Sequence, residues 1–169
     1  MKAIVVGCGR IGSQLAASLF NRGHEVSVID EDGASFDNLP ANFQGRLHEG
    51  DAMNQDVLER AGVKSCDALA AVTDNDGLNI VVAHIALKEF NVPHVIARNY
   101  DPQIRQVYET FGIQVVSSTS WGAQRIEELM VDSGMRTVFS AGNGEVEIYE
   151  LPILAGLNNH TLSEIITCS

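Results

Sequence analysis

Apolar residues fall along this chain in two alternating patterns. Short runs rich in β-branched and small residues read as buried strands: Ala3 to Val6, Val26 to Ile29, Asp67 to Val72, Pro93 to Ala97 and Gln114 to Val116. Arg46 to Glu49 is the weakest of the strand readings, being mostly polar. Between the runs, apolar positions recur at helical spacing. Ile11, Leu15, Ala16 and Leu19 form one stripe, and Arg22-Gly23-His24 closes that helix with a basic turn and a glycine stop. Residues 31–45 are polar with scattered Phe36, Leu39 and Phe43, which suits a short helix and a loop. Val57, Leu58 and Ala61 mark a short helix after Gly50-Asp51. Leu78, Val81, Val82 and Ile85 stand at i, i+3, i+4 and i+7, and Asp74 or Asp76 is placed to cap that helix. Asp101-Pro102 opens a helix whose stripe is Ile104, Val107, Tyr108 and Phe111. A last helix is expected from about Ser120 to Val131.

Six strands alternating with helices predict an α/β fold, a doubly wound parallel six-stranded Rossmann-like sheet. Beyond Ser133 the texture changes to a glycine-containing stretch with little periodicity apart from Thr137-Val-Phe. Val146 to Leu151 reads as a strand closed by Pro152, and Gly156 to Ile165 as a turn opening a helix. The expected organisation is a nucleotide-binding domain over 1–132, a linker over 133–144, and over 145–169 the start of a small C-terminal lobe that stops early, as an engineered truncation would.

The first strand runs straight into Gly7-x-Gly9-x-x-Gly12. In this pattern the first glycine permits a tight turn, the second lets backbone approach a pyrophosphate, and the third lets helix lie close to strand. The helix start then offers unpaired N–H groups and its positive dipole end to an anion. Asp30 ends the second strand at about the 20-residue spacing where a carboxylate meets ribose hydroxyls. The competing reading is a glycine turn in a doubly wound domain without a ligand. Asp30 followed by Glu31 doubles the negative charge where a ribose 2′-phosphate would rest, which disfavours NADP. NAD, NADH, ADP and ATP are not separated by that feature.

The net charge of −11 argues against general affinity for nucleic acid or anionic lipid, so a nucleotide must be held by local cations. No apolar stretch is long enough to span a bilayer and no signal-peptide pattern opens the chain, which places it in the cytoplasm with no direct membrane insertion. Cys8, Cys66 and Cys168 have neither disulfide-framework nor zinc spacing. Cys8, inside the glycine loop, is either a thiol activated by the helix start or a small space-filler.

Ligands of such sheets bind at the carboxyl ends of the strands near the switch point. Arg10 stands there and can fork onto phosphate oxygens, or face solvent; Arg98 can close over the phosphates, or pair with Asp101 or Asp74. Asp51 and Thr73 suit the adenine side, or merely cap a helix and end a strand. His24, His48, His84, His94 and His160 are scattered, and no nucleophile elbow, metal-spaced cluster or P-loop lysine occurs. Glu145 and Glu147 would share one strand face, with a solvated edge the commoner meaning and a divalent-ion site the rarer one.

Gly7-Cys-Gly-Arg-Ile-Gly, Asp30, Gly50-Asp51-Ala52, Ala71-Val-Thr-Asp74, Ala97-Arg98 with Asp101-Pro102, and Gly112-Ile-Gln-Val-Val together resemble the RCK/KTN family of TrkA-N type. These are nucleotide-binding regulatory subunits of potassium channels and of Trk/Ktr potassium uptake systems. The resemblance runs in order to about residue 132, and Glu150-Leu-Pro-Ile with Gly156 and Leu162-Ser-Glu resembles the opening of the family's C-terminal lobe. It implies a homodimer or higher ring beneath a membrane-embedded potassium channel or transporter subunit, peripheral to the inner face of the membrane. It implies NAD(H) or ADP/ATP as ligand without chemical turnover. Carried onto this chain, phosphate falls on Gly7, Cys8, Gly9, Arg10, Ile11 and the Gly12 turn with Arg98 behind, ribose on Asp30, and the adenine side on Asp51, Thr73 and Asp74.

Two other classes compete with this regulatory reading. An NAD-dependent dehydrogenase would need a substrate domain carrying a base beside the nicotinamide, and only His160 stands among the histidines beyond the last sheet helix. An assembly module with an empty site would show no response to any nucleotide.

Overall fold

The computed structural model of the chain describes residues 1–131, 136–141 and 146–150. Two compact units divide between Ser120 and Trp121. In the first, strands β1 (Lys2–Val6), β2 (Glu25–Asp30), β3 (Arg46–Glu49), β4 (Ala68–Ala71), β5 (His94–Arg98) and β6 (Gln114–Val116) form a six-stranded sheet in the order β3-β2-β1-β4-β5-β6. All five pairings are parallel. The doubly wound Rossmann-like expectation is therefore met, and the order reverses between β1 and β4.

Alternation along β1 and β2 splits the apolar side chains between two cores. Val5, Val26 and Val28 pack with Ala16, Leu15 and Leu19 of α1 (Arg10–Asn21). Ile4, Val6 and Ile29 face the other way, into the larger core of α2 (Gln55–Ala61), α3 (Asp76–Lys88) and Tyr108 of α4 (Arg105–Thr110). Burying a Val or Ile side chain contributes about 1.5–3 kcal/mol, so these central strands anchor the unit. Even the weakly patterned Arg46–Glu49 forms β3. It pairs with β2 from Ser27↔Arg46 to Asp30↔Glu49, since an edge strand needs a backbone partner more than an apolar sequence.

Several local expectations are corrected. The buried residues of α3 are Asn79, Val82, Ala83 and Ala86, whereas Val81 is 41% exposed. These keep the i, i+3, i+4, i+7 spacing but put the stripe one residue further along, because small alanines let the helix lie close to β4 and β5. Neither Asp74 nor Asp76 caps this helix: the Asn75 side chain does, accepting from Leu78 N–H at 3.1 Å. Likewise Asp51 does not cap α2, where Asn54 accepts from Asp56 N–H at 2.9 Å. Asp101 does act as expected, capping the short 3-10 turn Pro102–Ile104.

Helix α5 (Ser118–Val131) crosses the division between the units. In the second unit, β7 (Arg136–Ala141) pairs antiparallel with β8 (Val146–Glu150), so the stretch 133–144 expected as a linker contains a strand. The helix expected after Gly156, with Cys168, His160 and Glu145, lies outside the described residues, as does the side chain of Glu147.

Candidate functional site

Where the strand order reverses, the carboxyl ends of β1, β2 and β4 and the end of β5 open into a cleft of about 740 Å³. That size suits a whole small ligand or cofactor. Of the expected site residues, Gly7, Gly9, Arg10, Ile11, Asp30, Asp51, Thr73, Asp74 and Arg98 all line it. Cys8 and Gly12 do not line it.

Local geometry accounts for each glycine. Gly7 has a φ of 96°, and a Cβ there would come within 2.9 Å of the Thr73 side chain. At Gly12 a Cβ would sit 1.8 Å from the Gly7 carbonyl oxygen, so only glycine lets α1 start directly beneath the turn. Gly9 differs. Among the described residues, no atom beyond its chain neighbours lies within 4 Å of where its Cβ would be, and it precedes α1 with no side chain to cap the helix. The first-turn N–H groups are thus left to whatever occupies the open space in front of them.

The Cys8 thiol is fully buried against the α1-side core, and burial, reinforced by the Asp30 charge, pushes it up to about 11. It is a space-filler rather than a nucleophile. Its backbone N–H donates to Asp30 Oδ2 at 2.6 Å, while Asp32 N–H donates to Oδ1 at 3.0 Å. The carboxylate is locked at the end of β2 with lone pairs remaining for further donors. Glu31, Asp32 and Ser35 join it on the cleft wall.

Opposite, the Arg98 guanidinium is held by three contacts. Nε donates to Ser118 Oγ at 3.2 Å and Nη1 to the Thr73 carbonyl at 3.4 Å, and the Tyr100 ring lies 5.0 Å away. Its expected alternative, an ion pair with Asp101 or Asp74, is replaced by these contacts. Arg10 stands exposed at the first turn of α1. Asp51 accepts from Met53 N–H at 2.8 Å and so shapes the loop on the β3 side. Leu78 and Tyr100, also on the wall, were not among the expected site residues, since an apolar residue at a helix start and a tyrosine after a strand carry no motif. His24, His48, His84 and His94 lie outside the cleft. Burial, with Arg60 and Arg46 nearby, holds His48 below the usual imidazole range.

Residues 3–119, which hold the cleft and all of the six-stranded sheet but Lys2, match the TrkA-N domain. The chain belongs to the TrkA-N family. Among its relatives, the Trk system potassium uptake protein TrkA of Streptomyces coelicolor is 36% identical over 165 residues, covering 98% of this chain and 74% of the relative. A TrkA homolog of Pyrococcus horikoshii is 32% identical over 161 residues, covering 90% of this chain and 69% of its own. The crystal structure of the TrkA-N domain of the inner membrane protein YbaL from Escherichia coli superposes with a TM-score of 0.68 at 24% identity, over 76% of this chain and 96% of that one. The GsuK channel bound to NAD superposes at 0.68 and 19% identity, over 90% of this chain and 28% of that one. At such identities the two structures speak to the fold alone. Among the described residues no helix of this TrkA-N chain is long and apolar enough to cross a membrane.

Proposed function

We propose that this TrkA-N chain is a nucleotide-sensing regulatory subunit, and that the cleft binds NAD(H) or ADP/ATP through an adenosine diphosphate moiety. The observation that carries this reading is the contrast between Gly12, jammed against Gly7, and Gly9, which opens onto space before an uncapped helix start. A backbone arranged this way fits a pyrophosphate. Arg10 and Arg98 would neutralise it from either side, Asp30 would take the ribose, and Asp51, Thr73 and Asp74 would flank the adenine. Relatives named for Trk potassium uptake, and a structural neighbour described as a channel bound to NAD, support ligand class and setting. A neighbour described as bound to ADP supports the alternative nucleotide.

The partner is then a membrane-embedded potassium channel or transporter subunit, reached from the cytoplasmic side, and the nucleotide is a signal rather than a reactant. Two nucleotides can bias such an assembly only by their differential affinity for its alternative arrangements, typically about 1–3 kcal/mol per site. Ile126, Leu129 and Met130, exposed at helical spacing on α5, support self-association of the chain.

Thermal melting and titration calorimetry against NAD, NADH, ADP and ATP, with particle mass recorded for each, test the reading. Saturating ligand at 100-fold its dissociation constant should stabilise the fold by about 2.7 kcal/mol. Asp30→Ala and Arg10→Ala should each lose affinity without unfolding. Wild-type protein indifferent to all four nucleotides sinks the proposal.

A further inference from the structure

The buried stripe of α3 contains one polar residue, Asn79, which is 0% exposed among Val82, Ala83 and Ala86. An amide buried without partners costs about 1–3 kcal/mol, so its bonds explain its presence. Asn79 Oδ1 accepts from the Thr73 N–H at 3.0 Å and from the Thr73 hydroxyl at 2.8 Å. Its Nδ2 donates to the Thr73 carbonyl at 3.2 Å and to the Arg98 carbonyl at 3.0 Å. Two donors and two acceptor sites are thereby all in use. The last register pair joining β4 to β5 is Ala71↔Ala97. Beyond it the amide serves as the missing rung, bridging the two strand ends that form the cleft wall.

Both carbonyls it holds bear on Arg98. One is Arg98's own, near which the buried Tyr108 hydroxyl also lies, at 2.9 Å. The other, on Thr73, also receives the Arg98 guanidinium. Resting on the nucleotide reading above, we infer that Asn79 is the positioning residue for Arg98, setting the guanidinium where it meets the phosphates of the ligand. It touches no ligand itself. Without it, Arg98 would keep its charge but lose its fixed backbone origin, and phosphate recognition would fall while recognition of adenosine persisted.

Calorimetric titration of the full chain with ADP and with adenosine separates these contributions. Arg98→Ala should weaken ADP by about tenfold or more, as expected for a lost charge-assisted bond, and leave adenosine within about twofold. Asn79→Ala should reproduce about half or more of that tenfold loss, again sparing adenosine, and the double variant should be no weaker than Arg98→Ala by more than about twofold. Equal losses for ADP and adenosine, or fully additive losses in the double variant, overturn the inference. Should Asn79→Ala fail to fold, Asn79→Ser keeps a polar side chain beside Thr73 but is too short to bridge to the Arg98 carbonyl. It should lower ADP affinity by about threefold and leave adenosine unchanged; an unchanged ADP-to-adenosine ratio overturns the inference. Wild-type protein that binds neither ligand overturns the nucleotide reading and this inference together, whereas normal wild-type binding with an unaffected ratio in the variants overturns this inference alone.

Discussion

Single residues in the glycine turn carry opposite constraints, and substitution separates them. Gly12→Ala places a methyl group on the Gly7 carbonyl, backbone that cannot yield cheaply, and should cost about 2 kcal/mol or more in denaturant unfolding. Gly9→Ala meets no atom of the described residues beyond its chain neighbours, and its φ of −70° suits any residue, so stability should change by less than about 0.5 kcal/mol. The same methyl group should nonetheless abolish the nucleotide-induced rise in melting temperature, because it fills the space before the helix start. An undiminished rise in Gly9→Ala would place the ligand elsewhere. Cys8 gives a second prediction at this scale. A buried thiol pushed up to about 11 is protonated at pH 8, so peptide mapping after iodoacetamide should find Cys8 unlabelled in native protein and labelled in urea. Prompt native labelling would contradict its packing role.

At the scale of elements, the loop after β5 is tied to α3 by Asp76. Its carboxylate accepts from Tyr100 N–H at 2.7 Å, Asp101 N–H at 2.8 Å and the Tyr108 hydroxyl at 2.7 Å. Burial by itself would raise this carboxyl, but together these donors outweigh it and hold the group below the usual carboxylate range. Burial and the Asp76 contact push the Tyr108 phenol upward, so it remains a donor throughout. With its folded value below its unfolded one, Asp76 binds fewer protons when folded. Its stabilisation is complete above about pH 5 and is lost as pH falls through the folded value. Asp76→Asn should therefore destabilise by about 1–2 kcal/mol at pH 7. The gap to wild type should narrow below about pH 4 in urea titrations run across pH. A gap independent of pH would mean that the carboxylate's charge does not matter there. Leu78, Val81, Val82 and Ile85 looked like the buried stripe because spacing alone cannot choose between overlapping faces of an apolar helix. Asn79 decided the face, and hydrogen bonds to Thr73 and Arg98 are what permit a polar residue there.

Across the molecule, charge limits the ligand. Asp30, Glu31, Asp32, Asp51 and Asp74 line the cleft against Arg10 and Arg98, within a chain of net charge −11. A 2′-phosphate set against Asp30, Glu31 and Asp32 would meet like charge at short range, so NADP should bind about tenfold or more weakly than NAD by calorimetry at moderate salt. Comparable affinities would show that the ribose lies away from β2. Much of this was legible in the residue order. The Ala3-to-Val6 run, the glycine spacing and Asp30 fixed the first strand, the turn and the acid, because those depend on local sterics and short separations. Sequence similarly indicated six strands in a parallel sheet, since β-branched runs alternating with helical stripes have few other ways to bury themselves. Only the tertiary structure decided which face α3 buries, that Cys8 turns into the core, that Arg98 leans on Thr73 and Ser118 rather than on a carboxylate, and that a strand lies within 133–144. Each of these depends on partners distant in the chain, whose approach is set by how strands and helices stack and not by any neighbour in sequence.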